Sequence, residues 1–196
     1  MIELTFDKVL DDLFKLVDSI ENLDIRRFVY KGFNMISDEF WMVPTSSSGK
    51  HHPPESNITP MGLLVHNIKA ATIAKGLFEF FGVVDKDEKD IVIAAILLHD
   101  SYKGGWSNDW EGMIPEHGYI AASYLAGIEL EPEYYKRKLL SCIETHMSRW
   151  ARPFSSVTNF LFPDKLNLIV ALSDMIGSRR DISFYPGISV LELDEE

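Results

Sequence analysis

The sequence predicts an all-α fold, and three observations carry that expectation. Apolar residues recur at helical spacing in one segment after another, and no segment alternates convincingly with period two. Capping residues, prolines and glycines punctuate the chain at helix-length intervals. Residues 5–19 read as a first helix, with Phe6, Val9, Leu10, Leu13 and Val17 on one face, and 22–37 as a second. The stretch 44–60, PTSSSGKHHPPESNITP, has the composition of a loop. It is long for a compact domain, where loops of that length are usually functional. Thr59 suits an N-cap with Pro60 at the first helical position, and Gly82 suits a stop, so a helix of about 22 residues lies between them. Asp85 followed by Glu88 resembles a capping box and opens a helix over 86–100 that is apolar nearly all round. The cap, the length and Ala94-Ala95 favour a central buried helix there over a buried strand. Pro115, Pro132 and Pro163 stand near the starts of three further helices, 115–126, 132–148 and 164–178, the first of them ended by Gly127. The expected organisation is one domain over 1–196. It comprises N-terminal helices in 1–43, the 44–60 loop, a core over 60–180 and a solvated tail over 181–196 that closes on LELDEE.

Composition narrows the class. With 196 residues, 46% hydrophobic and 25% charged, the chain is ordinary globular protein and long enough for a real core. A single cysteine, Cys142, excludes an intramolecular disulfide framework and a cysteine-based zinc knuckle, and fits a core filler. A formal charge of −11 argues against a broad surface for long nucleic acid. The longest apolar run, IVIAAILL at 91–98, falls well short of the ~20 residues a membrane span needs. The amino terminus lacks the basic region and apolar stretch of a targeting segment, so a soluble cytoplasmic protein with a reduced thiol is expected. A homodimer is compatible with all of this.

Six polar residues stand on faces that should be apolar. His66 shares a face with Leu63, Ala70, Ile73 and Leu77, and His99-Asp100 ends the most apolar helix. His117 precedes Ile120 and Ala121 by one turn, His146 aligns with Leu139, Cys142 and Ile143, and Asp174 aligns with Leu166 and Val170. A lone histidine on such a face is usually a hydrogen-bonded core residue. Two acids and four imidazoles together are different, because an unpaired buried carboxylate costs several kcal/mol. A divalent metal supplies the shared partner, and imidazole with carboxylate suits Mn, Fe, Zn, Co or Ni, with Mg possible. Successive helical residues diverge by about 100°, so His99 and Asp100 can face one centre only near a helix end or across two metals. Six ligands favour two ions, and two ions ~3.5–4 Å apart can activate a bridging hydroxide and stabilise displacement at phosphorus.

The order His66, His99-Asp100, His117, His146, Asp174 resembles the HD-domain superfamily in its six-ligand, two-metal form. The resemblance covers roughly 60–180, in the contexts GLLVHN, AAILLHDSYKGG, EHGYIAASYL, IETHMS and ALSDMIGSRR. It implies an all-α fold and, most often, metal-dependent hydrolysis of a phosphomonoester or phosphodiester. It further implies that His66, His99, Asp100 and Asp174 hold one metal, with Asp100 bridging to a second held by His117 and His146. Lys103 matches the lysine of the family's HD-x-x-K segment, which sits near the substrate phosphate, and would act there with Asp100 in catalysis. The single His146 followed by MSRW departs from the cyclic-dinucleotide phosphodiesterase branch. The two extra histidines depart from the one-metal nucleotidase branch. The HHPP at 51–54 is similar to a lead-in of small HD proteins and of HD-containing exoribonucleases.

Around that core, His51 and His52 are candidates to face the pocket as phosphate contacts or proton carriers. Lys103, Arg149, Arg152, Arg179 and Arg180 could build a positive mouth. Trp106 and Trp110 could stack on a base or simply pack. The expected activity is a phosphohydrolase acting on a nucleotide, cyclic nucleotide, short oligonucleotide or other small phosphate ester. Two alternatives remain: an HD-type di-iron oxygenase on an inositol- or phosphonate-like substrate, and a catalytically silent helical binding module.

Overall fold

The computed structural model describes residues 4–36, 38–46, 52–57, 60–104, 112–147, 164–182 and 184–185. Among them the chain is all-helical, with no strand. Its helices are α1 (Phe6–Asp18), α2 (Leu23–Phe33), α3 (Glu39–Met42), α4 (Gly62–Phe80), α5 (Lys86–Leu98), α6 (His117–Leu125), α7 (Glu133–Thr145) and α8 (Lys165–Gly177), with a 3₁₀ turn at Pro54–Ser56. No helix among the described residues is long and apolar enough to cross a membrane.

The helix starts follow local chemistry. Thr5 caps α1 by accepting from Lys8 N, and Asn22 caps α2 by accepting from Asp24 N and Ile25 N. Asp85 accepts from Glu88 N at 2.9 Å, which is half of the expected capping box. The Glu88 carboxylate goes to Lys165 at 3.0 Å instead, tying α5 to α8. Asp164, a cap not anticipated beside Pro163, accepts from Leu166 N and Asn167 N at the head of α8.

Other boundaries depart from expectation for tertiary reasons. The 22–37 helix stops at Phe33, where Met35 N turns back to Gly32 O, and the short α3 follows. The start expected at Pro60 lies two residues further on, and Thr59 falls outside the described residues. Met61 there takes a left-handed φ of 79° and swings the chain into α4. Gly62 then lies so close to the 3₁₀ turn that a Cβ would stand 2.3 Å from Ser56 O. α6 begins at His117 rather than at Pro115, which occupies the preceding turn.

α5 is the central helix. Every residue from Asp90 to Leu98 is buried, and the helix packs against α1, α2, α4, α7 and α8. Burying side chains such as Ile96, Leu97 and Leu98 stabilises the fold by about 1.5–3 kcal/mol each. α4 is enclosed by α1, α3, α5, α8 and the 3₁₀ turn, so Gly62–Ala71 is buried all round, His66 and Lys69 included. Cys142 packs in the same core, and burial pushes its thiol up to about 12. α5, α6, α7 and α8 direct helix ends or inner faces toward the same point as α4.

Candidate metal centre

The two residues that end α5 illustrate how the site is built. His99 is the C-cap and keeps helical backbone angles, with Asp100 immediately after it. A helix end leaves carbonyls without intrahelical partners, and the His99 ring uses one: its Nδ1–H donates to Ile96 O at 2.6 Å. His146, the C-cap of α7, does the same to Ile143 O at 2.6 Å. His117, first residue of α6, donates Nδ1–H to Ile114 O at 2.6 Å. A carbonyl only accepts, so each bond puts the proton on Nδ1 and turns an Nε2 lone pair inward. His66 comes from the buried face of α4 and Asp174 from α8.

The six side chains meet. His66 Nε2 lies 2.9 Å from Asp174 Oδ1, and His99 Nε2 lies 3.6 Å from the same oxygen and 3.5 Å from Asp100 Oδ2. Asp100 Oδ1 is 3.0 Å from His117 Nε2 and 3.7 Å from His146 Nε2. Ligands each ~2.1 Å from one ion stand roughly 3–4 Å apart, which is this spacing. Among the described residues three overlapping triplets have donor atoms within 4.8 Å of one another: His66, His99, Asp100; His99, His146, Asp174; and Asp100, His117, His146. These buried groups can hold metal ions.

Two further observations fit such a group. His99 Nε2 is buried without a hydrogen-bond partner, which costs about 1–3 kcal/mol unless something else occupies the lone pair. His117 Nε2 and His146 Nε2 face each other at 2.9 Å. With both Nδ1 protons committed to carbonyls, two bare lone pairs at that distance repel unless a proton or cation lies between them.

The electrostatics keep both carboxylates ionised and two of the imidazoles neutral. Burial acts to raise the Asp100 carboxyl, but the Lys103 ammonium with His99 and His117 outweighs it and holds the group well below the usual carboxylate range. Burial likewise opposes ionisation of Asp174, and the hydrogen bond from His66 with the nearby His99 ring holds it low. Burial lowers His66, and burial with His99 and His117 brings His146 down to about 3, so both imidazoles are neutral near pH 7. At His99 burial pulls down, but the two carboxylates prevail and raise it.

Lys103 is not a solvated turn lysine. It is 7% exposed, its Nζ lies 2.5 Å from Asp100 Oδ2, and its carbonyl accepts from Ile114 N just before α6. His52 packs edge-on against His66, ring centroids 5.3 Å apart. Arg179, a candidate for the positive mouth, lies just beyond the end of α8 at Gly177, and its 62%-exposed side chain pairs with Asp181 at 3.2 Å. Arg180 is also exposed. His51, Trp106, Trp110, Arg149 and Arg152 lie outside the described residues.

Three supporting residues escaped the sequence reading. Asn167 donates to Ser141 Oγ at 3.0 Å and Thr145 Oγ1 at 2.9 Å, locking α8 to the turn of α7 that presents His146. Lys69, one turn beyond His66, is fully buried; a polar residue at that offset was the available signal. Gly118 lets α6 approach α7, since a Cβ there would lie 2.9 Å from Ile143 O and 3.0 Å from His146 Nδ1. A glycine in the first helical turn was its signal. Gly118→Ala is therefore expected to lower stability in urea by about 1–3 kcal/mol. It should also weaken metal binding about tenfold or more, because the His146–Ile143 bond is displaced. Wild-type metal affinity in a folded variant would contradict this packing account.

Comparison of the chain with protein-family models, with curated proteins and with solved structures gives no match.

Proposed function

We propose that the chain is a metal-dependent phosphohydrolase of the HD type, acting on a small phosphomonoester or phosphodiester such as a nucleotide. The observation that carries this reading is Asp100. Its Oδ1 addresses His117 and His146, while its Oδ2 addresses His99 and the Lys103 ammonium. A carboxylate shared between two sets of imidazoles suits a binuclear site of Mn, Fe, Co, Ni or Zn. His66, His99, Asp100 and Asp174 would hold one ion, and Asp100, His117 and His146 the other. Such ions supply a nucleophile from water at neutral pH and offset charge on phosphoryl oxygens.

The chain's own groups account for the rest. Lys103 places a compact point charge beside the cluster, suited to a phosphate oxygen. The side chains of His66, His99 and His117 are fully enclosed, whereas that of Asp174 is 16% exposed, so substrate reaches the cluster from the Asp174 side. So enclosed a site fits a small ester rather than a long nucleic acid, and the formal charge of −11 weighs the same way. Two bound divalent ions would bring that charge to about −7 and concentrate positive potential where a phosphate binds. The buried thiol and the acidic composition suit work in the cytoplasm.

The test is a phosphate-release screen of the full chain reconstituted with Mn, Co, Ni or Mg, against aryl phosphates, aryl phosphodiesters and nucleotides. Metal-dependent turnover of at least one class, abolished by chelator, is expected. No turnover on any phosphate ester, with oxygen consumption by the iron-loaded protein, would replace this reading with the oxygenase.

A further inference from the structure

Residues 52–57 belong to the long segment ahead of α4, and several independent contacts pin them there. Thr45 N donates to Ser56 O at 3.0 Å, and Thr45 Oγ1 reaches Ser56 O at 2.6 Å and Gly62 O at 2.8 Å. Asn57 Nδ2 donates to His52 O at 2.8 Å. The Lys69 ammonium, fully buried on α4, pairs with Glu55 at 3.0 Å and donates to Ile182 O at 3.0 Å. The missing Cβ of Gly62 makes room for the turn.

What this delivers is the His52 ring, set edge-on to His66 at an interplanar angle of 85°. His52 Nδ1 is buried and has no hydrogen-bond partner. Buried polar atoms are almost always partnered, so an orphan asks what completes it. The same condition holds at His99 Nε2, which faces the carboxylates of the cluster. His52 belongs to none of the three donor triplets, so it stands beside the ligand set rather than in it.

We propose that the buried Lys69–Glu55 pair is a clamp that holds His52 as a phosphate-contacting group, its Nδ1–H donating to a phosphoryl oxygen at the His66–Asp174 end while Lys103 serves the Asp100 end. The proposal rests on the phosphohydrolase reading and adds a second donor to it. His52 is then a substrate-binding residue, and Lys69 and Glu55 are positioning residues that act through it.

The experiment is calorimetric titration of inorganic phosphate into the manganese-loaded full chain, with metal content measured for every variant. His52→Phe keeps the ring volume and removes the donor. It is expected to retain wild-type metal content and to bind phosphate about tenfold more weakly. Glu55→Gln, which keeps shape and removes charge, is expected to weaken phosphate about threefold or more. It should have no further effect in the His52→Phe background, an outcome that a merely structural ion pair would not produce. Wild-type phosphate affinity in His52→Phe, loss of metal from it, or full additivity of the two substitutions would overturn the proposal alone. A wild-type protein that takes up manganese and binds no phosphate would overturn the parent reading as well.

Discussion

Asp100→Asn is expected to lower metal-dependent phosphate release by about 10³-fold or more while leaving the helical fold in place. The substitution keeps the volume of the side chain and removes the charge that both halves of the cluster share. Oδ1 faces His117 at 3.0 Å and Oδ2 faces His99 at 3.5 Å, so no other residue can take over both contacts. Metal content should fall in parallel, because one remaining carboxylate offers less negative charge to two divalent ions. The variant also strands the buried Lys103 ammonium without its anion, at a cost of roughly 3–5 kcal/mol in the metal-free protein. Circular dichroism, metal analysis and the rate measured together separate these effects. Full activity with two metals retained would remove Asp100 from its central place.

Manganese saturation is expected to raise the melting temperature far more than a typical surface substitution changes it. A ligand at 1,000 times its Kd stabilises by about 4 kcal/mol per site, so two independent sites give roughly 8 kcal/mol. For a domain of this size each kcal/mol moves Tm by about 2–4 °C, which predicts a shift of roughly 15–30 °C between chelator-stripped and manganese-loaded protein. The physical source is that an orphaned His99 Nε2 and two imidazole nitrogens opposed at 2.9 Å gain a shared partner beside the Asp100 and Asp174 carboxylates. A shift of only one or two degrees would mean that the cluster satisfies itself without metal.

The six cluster residues were legible because each is a polar group at helical spacing among apolar neighbours, and periodicity alone places such a residue on the inner face. The pair His99-Asp100 narrowed the choice to a helix end or two metals, since successive helical residues diverge by about 100°, and the structure places it at the end of α5. What was not legible depends on which helices touch. The left-handed turn at Met61 exists because Gly62 must pass under Ser56, a contact between segments whose packing no local pattern announces. Gly118 matters because α6 meets α7 there, and Asn167 because α8 meets α7. The pairing of Arg179 with Asp181 was not legible either, since a place just beyond Asp174 in sequence says nothing of where the chain turns after Gly177. The loop content of 44–60 was readable, but the anchoring of 52–57 by Thr45 and Lys69 was not, since it joins residues far apart along the chain.

The most direct test of the account is the metal content of the full chain purified without added metal and again after reconstitution with manganese. Two divalent ions per chain are predicted, falling to one or fewer in Asp100→Asn. Fewer than one ion per chain in the wild-type protein after reconstitution, with no phosphate release, would contradict the central claim that these six side chains form a binuclear centre.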